Sequence, residues 1–276
     1  MLLKRMTTGF TLAALSIALV CWGLIPMSLE ILLVSLFGLL EFDDMARKKG
    51  IRPSRPTSLF CGFLIVATSA LGLKLSLPML VLCSFIIFTV FIFRKDHHVS
   101  SYLDVGVTLM GIVYIPWFFS FMIHLRNFTE KLTIAGINLD AGAWYVLLVF
   151  FGTSFSDIFA YFIGRYFGRI KLCPGISPGK TVEGSLAGLL ASVGVTAAFG
   201  QLLGWPVHLS VLLGLLLGVT AQLGDLWESI LKRDAGVKDS GSILAGHGGI
   251  LDRFDSYFFT APAAYYFLIL FVRPPG

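Results

Sequence analysis

Charged side chains make up only 13% of this 276-residue sequence, about half the roughly 25% of a soluble domain. That scarcity excludes a disordered chain and a coiled coil. Cysteine is rare too. The four stand at positions 21, 61, 83 and 173, three of them in apolar runs, with no CxxC pair and no Cys/His cluster. A disulfide framework and a structural zinc site are therefore not expected. His97-His98 likewise lack partners at metal-ligand spacing. There is no dense basic tail and no interleaving of basic with aromatic residues, so the net charge of +5 does not point to nucleic acid. No internal repeat or low-complexity segment stands out.

What is abundant is apolar surface. Hydrophobic residues account for 56% of the chain, and 29 glycines come on top of them. A soluble protein of this length has too little interior to hide so much, so much of it must face lipid. The expected fold class is all-α: one polytopic integral membrane bundle of about nine transmembrane helices. Nine runs approach the roughly 20 residues that cross the hydrocarbon core: 8–25, 27–41, 57–73, 76–93, 103–124, 143–164, 182–204, 207–224 and 256–272. The first two almost fuse at Ile25-Pro26-Met27, where proline predicts a tight turn. Lys4-Arg5 ahead of an apolar run has the look of a signal peptide, but no small-residue cleavage site follows. An uncleaved first span is expected.

Basic residues orient the spans. With the N-terminus in the cytoplasm and nine crossings, seventeen of the 21 lysines and arginines lie inside, and only Lys74, Arg126, Lys131 and Arg273 lie outside. That is the asymmetry of the positive-inside rule. Residues 1–150 are mostly plain apolar spans, read as a lipid-facing scaffold. Residues 151–276 hold acids, bases, glycines and hydroxyls at the cytoplasmic ends of their spans, so the chemistry is expected there.

Two polar clusters stand out. The first begins where the eighth span ends, with Asp225, Glu228 and Ser229 spaced to share one helix face. Lys232-Arg233 follow, then a loop with Lys238-Asp239 and five glycines, then Asp252-Arg253-Phe254-Asp255 directly before the ninth span. Carboxylates gathered at one interface repel unless a cation stands between them, and an all-oxygen ligand set favours magnesium. Nearby lysines and arginines suit phosphate oxygens, and glycines let backbone N–H groups approach an anion. The mixture points to metal-assisted phosphoryl or nucleotidyl transfer on a lipid. The second cluster is Ser156-Asp157 within the sixth span, followed by Ser177-Pro178-Gly179-Lys180-Thr181-Val182-Glu183-Gly184. An acid inside an apolar span is costly and marks a functional candidate. The second run lacks the GxxxxGK[ST] spacing and a preceding strand, which excludes an ATP-binding P-loop. A helix starting near Thr181 still offers its N-terminus to a phosphate.

Each feature has a plainer reading. Lys232, Arg233 and Arg253 also serve as positive-inside anchors, and Arg47-Lys48-Lys49 read best that way. Asp255 suits a helix cap, Asp225 a boundary acid, His247 an exposed loop residue, and Asp157 a structural partner of Arg165. A transporter also places polar groups at helix breaks, but here the acids gather at one interface and no inverted repeat is visible. Other lipid–nucleotide enzymes, such as a kinase or a transferase using a CDP-lipid, share the same chemistry. A non-catalytic scaffold has no use for the full set of acids and bases.

The run Ser229-Ile-Leu-Lys232-Arg233, then Lys238-Asp239-Ser-Gly241, then His247-Gly248-Gly249-Ile-Leu-Asp252-Arg253-Phe-Asp255 resembles the signature of the phosphatidate cytidylyltransferases, or CDP-diacylglycerol synthases. The Ser177–Gly184 run is similar to that family's Ser-Pro-x-Lys-Thr-x-Glu-Gly element. Asp157 with Ala160-Tyr161 and Gly164 is similar to its Asp-x-x-Ala-Tyr-x-x-Gly element. The matches are dense over residues 153–262, and the first 150 residues match in character only. Ala245 stands where the family usually has proline. The resemblance implies condensation of CTP with phosphatidate to CDP-diacylglycerol and pyrophosphate. It implies magnesium, with a second cation such as K+, held by Asp225, Asp252 and Asp255. It implies phosphate contacts from Lys232, Arg233, Lys238 and Arg253, and nucleotide or lipid-phosphate binding by Ser177, Lys180 and Thr181, with Gly248 and Gly249 beside the substrate. Asp239 and His247 are implied site residues of open role, and Asp157 is implied to hold a lysine or line the cavity. The resemblance also suggests a homodimer; the compactness of the chain favours a bacterial plasma membrane, and the orientation of the spans puts the active site on its cytoplasmic side.

The topology is testable directly. A reporter fused after Gly276 is expected to be active only when its type works outside the cytoplasm. A fusion active only in the cytoplasm contradicts the nine crossings.

Overall fold

A computed structural model describes residues 2–94, 101–241 and 248–272. In chain order its elements are α1 (Leu2–Trp22), α2 (Leu24–Lys48), α3 (Arg55–Ala70), α4 (Leu73–Ile92), α5 (Ser101–Ile112), a π-helical turn (Val113–Trp117) and α6 (Phe118–Arg126). Then follow β1 (Lys131–Ile134), β2 (Ile137–Asp140), α7 (Ala141–Phe167), β3 (Lys171–Cys173), β4 (Ser177–Thr181), α8 (Val182–Leu202), α9 (Val207–Asp234), α10 (Leu251–Phe267) and a last π-helical stretch (Leu268–Val272).

Among the described residues, seven helical stretches are long and apolar enough to cross a membrane: Leu24–Lys48, Leu75–Ile92, Tyr102–Arg126, Ala141–Phe167, Val182–Leu202, Val207–Asp234 and Leu251–Val272. The protein is a mostly helical, polytopic integral membrane chain. All nine expected runs fall on helices, but two are slighter than anticipated. The apolar part of α1 is Thr11–Trp22, and α3 has 16 residues. At 1.5 Å per residue such a helix extends about 24 Å, less than the roughly 30 Å hydrocarbon core.

The break between the first two helices also differs from expectation. It falls at Gly23, with φ of 150°, a conformation that glycine tolerates. Pro26 lies in the first turn of α2, where its missing N–H has no partner to lose. Pro116 sits in the π-helical turn between α5 and α6, where a widened turn accommodates a residue that cannot donate.

The all-α expectation needs one correction, because the chain also forms two small antiparallel hairpins. β1 and β2 pair from Lys131↔Asp140 to Ile134↔Ile137. Their two-residue turn, Ala135-Gly136, has φ of 50° and 82°, the positive-φ pair that matches the strand twist. β3 and β4 pair Lys171 with Thr181 and Cys173 with Ser177. Both are too short to show a period-2 pattern in sequence.

Contacts divide the chain into two units, Met1–Asn127 with Leu231–Arg253, and Phe128–Ile230 with Phe254–Gly276. In the first, α2 packs on α3 and α6, with Ile31, Leu39, Ile65, Ile112, Ile115 and Phe121 fully buried. In the second, α7 lies against α8 so closely that a Cβ on Gly184 would stand 2.6 Å from the Ala160 carbonyl oxygen and 2.8 Å from the Gly164 Cα. Without a driving force from water, small residues that let backbones meet are what hold such helices together.

This packing generates a paired prediction. Gly184→Ala must push two backbones apart and is expected to cost about 1–3 kcal/mol. Gly194, on the same helix, has open space around the point where a Cβ would stand, with nothing within 4 Å. Gly194→Ala should therefore be neutral or gain up to about 1 kcal/mol of helix propensity. Thermal unfolding in detergent measures both. Equal effects would contradict the close α7–α8 contact.

Candidate active site

In the second unit, Asp225 and Glu228 share one face of α9, as their spacing requires. Asp255 joins them from α10, and one oxygen from each of the three lies within 4.8 Å of the others. Glu228 is fully buried; Asp225 and Asp255 are half-buried. The close approach depends on Gly224, where a Cβ would meet the Asp255 carbonyl oxygen at 2.6 Å and the Ser256 Cα at 3.1 Å. Lys180 Nζ lies 2.8 Å from Asp225 Oδ2, and the Ser229 hydroxyl lies 3.5 Å from Asp225 Oδ1. Asp157 of α7 is an electrostatic neighbour of Asp225, Lys180 and Ser256.

The plainer readings of two acids do not fit this geometry. Asp255 is not a cap of α10, since it sits a turn inside the helix, where its Oδ1 accepts from the Ser256 N–H at 2.8 Å. Arg165 donates to the Tyr161 hydroxyl at 2.7 Å and lies over that ring, so it is engaged away from Asp157.

The Ser177–Thr181 run forms β4. Thr181 is buried as the N-cap of α8, its hydroxyl accepting from the Gly184 N–H at 3.2 Å. The expected helix start is thus present, with Thr181 committed to it. Lys180 is the residue of this run that reaches the acids, and Ser177 is half-buried.

In the first unit, Lys232 Nζ donates to Asp252 Oδ1 at 2.6 Å. Asp252 Oδ2 accepts from the Ser240 N–H at 3.0 Å, the Ser240 hydroxyl at 3.1 Å and the Gly249 N–H at 2.8 Å. The N–H of Gly249 is therefore already used within the chain. Gly248 holds φ of 80°, a value that favours glycine. Arg233, Lys238, Asp239 and Arg253 are exposed. His247 and Ala245 lie outside the described residues.

The resemblance implies one ligand set of Asp225, Asp252 and Asp255. The structure brings Glu228 to that pair and engages Asp252 with Lys232 and Ser240. Glu228 is legible in its i, i+3 spacing from Asp225, but the resemblance assigns it no role. Glu41 gives no sequence signal beyond being an acid at the end of an apolar run. It is 2% exposed and accepts hydrogen bonds from Ser240, Ile250 and Leu251.

Three oxygen donors from carboxylates, with no nitrogen or sulfur among them, suit a hard divalent cation such as magnesium. The residues present therefore fit the metal that the resemblance implies.

Comparisons with known proteins agree with this chemistry. The model of the cytidylyltransferase family matches residues 3–271. A phosphatidate cytidylyltransferase of Synechocystis sp. is 35% identical, over 97% of this chain and 96% of its own. One from Bacillus subtilis is 32% identical over 97% of this chain and 98% of its own. The chloroplastic phosphatidate cytidylyltransferase 5 of Arabidopsis thaliana is 32% identical over 97% of this chain and 72% of its own. With the match running through nearly every span and both polar clusters, the chain belongs to the cytidylyltransferase family.

Proposed function

We propose that this chain condenses CTP with phosphatidate to give CDP-diacylglycerol and pyrophosphate, a step of phospholipid biosynthesis. Family membership over residues 3–271 supports the reaction. The observation that carries the chemistry is the convergence of Asp225, Glu228 and Asp255, with Lys180 on Asp225.

A phosphate oxygen of phosphatidate attacks the α-phosphorus of CTP. The bond from that phosphorus to the bridging oxygen breaks, and pyrophosphate leaves with the electron pair. No protein nucleophile is needed, so the protein's task is to position the two phosphates and offset their charge. Asp225, Glu228 and Asp255 would hold magnesium, which when bound supplies positive charge at the phosphate oxygens. Lys180 contacts phosphate from its place beside Asp225. Lys232, Arg233, Lys238 and Arg253 bind further phosphate oxygens, and Asp252 holds the Lys232 ammonium in place. Asp157 of α7, an electrostatic neighbour of Lys180, holds that lysine or lines the cavity.

The proposal extends to topology. Nine crossings with a cytoplasmic N-terminus, supported by the lysine and arginine asymmetry, put the charged ends of α7 to α10 on the cytoplasmic face of a bacterial plasma membrane, where CTP is available. The chemistry then belongs to residues 151–276 and the scaffold to 1–150. A homodimer is part of the same reading.

Purified protein given labelled CTP, phosphatidate and magnesium should yield a CDP-lipid and pyrophosphate. EDTA should stop the reaction and added magnesium restore it. Activity surviving complete chelation would reject the metal. Equal use of ATP would reject the CTP assignment. Asp225→Asn, Glu228→Gln and Asp255→Asn should each lower turnover by about 100-fold or more in folded protein, the scale on which a charge-stabilising group counts. Near wild-type turnover in Glu228→Gln at saturating magnesium would remove it from the ligand set.

A further inference from the structure

The first unit contains a buried acid that the reaction scheme does not use. Glu41 lies in α2, and the face it shares with Gly38 meets the start of α10: a Cβ on Gly38 would touch the Leu251 side chain at 3.1 Å. Glu41 Oε1 accepts from the Ile250 N–H at 2.9 Å. Its Oε2 accepts from the Leu251 N–H at 3.0 Å and from the Ser240 hydroxyl at 2.9 Å. A carboxylate is the one side chain that offers two acceptors and no donor, and the first N–H groups of α10 favour a negative charge.

Two glycines of the signature are shaped to this acid. A Cβ on Gly241 would stand 2.4 Å from Glu41 Oε1, and one on Gly249 would stand 2.3 Å from Oε2 and 1.9 Å from Ser240 Oγ. Close approach to Glu41 is thus a physical reason for glycine at both positions. The contacts then continue in one direction. Ser240 is 5% exposed; its one hydroxyl proton is shared between Glu41 Oε2 and Asp252 Oδ2, and its N–H donates to Asp252 Oδ2 as well. Asp252 in turn accepts from Lys232 at 2.6 Å.

We propose that Glu41 is a positioning residue of this enzyme: through Ser240 and Asp252 it sets the place of the Lys232 ammonium, which binds phosphate. This rests on the function proposed above for Lys232. Glu41 itself touches no substrate. Its role differs from that of a brace, because a brace matters only to how much protein folds.

The test is Glu41→Gln. The amide must present N–H to the Ile250 N–H on one side or to the Leu251 N–H on the other, so the seat of the side chain at the start of α10 is disturbed while its size is kept. Turnover per folded molecule should fall about 10- to 100-fold, as it does when an outer partner of a reactive group is lost. Ser240→Ala should fall comparably, and the double variant should be no worse than the poorer single one. Amide hydrogen exchange should quicken at 249–252 and not in α8. Losses that multiply in the double variant, or Glu41→Gln with reduced yield but wild-type turnover, would overturn the proposal. If Glu41→Gln does not accumulate, Ser240→Ala carries the same test, with unchanged turnover as the overturning result. Wild-type protein that makes no CDP-lipid would instead overturn the function, and the exchange measurement would still decide the role of Glu41: unchanged exchange at 249–252 would refute it.

Discussion

A carboxyl group inside an apolar helix is expensive to bury, and the two polar regions of this protein are built around that cost. Glu41 meets it with protein donors: a hydroxyl and two backbone N–H groups take up both oxygens. Asp225, Glu228 and Asp255 are arranged differently. Their oxygens crowd within 4.8 Å of one another, and Lys180 pairs with Asp225 at their edge. The first arrangement is closed, with both oxygens engaged by the protein. The second gathers three carboxylate oxygens at one point, an all-oxygen set that suits a hard cation.

Packing makes both arrangements possible. Gly224 lets α9 and α10 approach until Asp255 stands beside Asp225 and Glu228, and Gly241 and Gly249 let the backbone close around Glu41. Between α7 and α8, Gly184 allows backbone contact of the same kind. At Gly224, Gly241 and Gly249 the absence of a side chain brings acids close to backbone, and at Gly184 it brings two helix backbones together.

Much of this is legible without a structure. The apolar runs locate the helices because lipid leaves few alternatives to a helix, and the sparse acids locate the chemistry. The spacing of Asp225 and Glu228 places them on one face, and Thr181 is recognisable as the start of α8. The hairpins are not visible, because strands of three to five residues carry no period. The turn expected near Pro26 falls three residues earlier, because proline is harmless in a first helical turn and glycine makes the break. The partners of Asp252 and the burial of Glu41 depend on tertiary contacts. Glu41 and Ser240 stand 199 residues apart in sequence, a separation that no local pattern records. For the same reason, no local pattern shows that Gly241 and Gly249 lie against a carboxylate.

The central claim is that Asp225, Glu228 and Asp255 form the cation site and that Asp252 serves Lys232 instead. Manganese, a hard divalent substitute for magnesium that electron paramagnetic resonance detects, measures this without reference to turnover. The account predicts that purified protein binds the ion, that Glu228→Gln loses it, and that Asp252→Asn keeps it. Binding retained in Glu228→Gln and lost in Asp252→Asn would contradict the account.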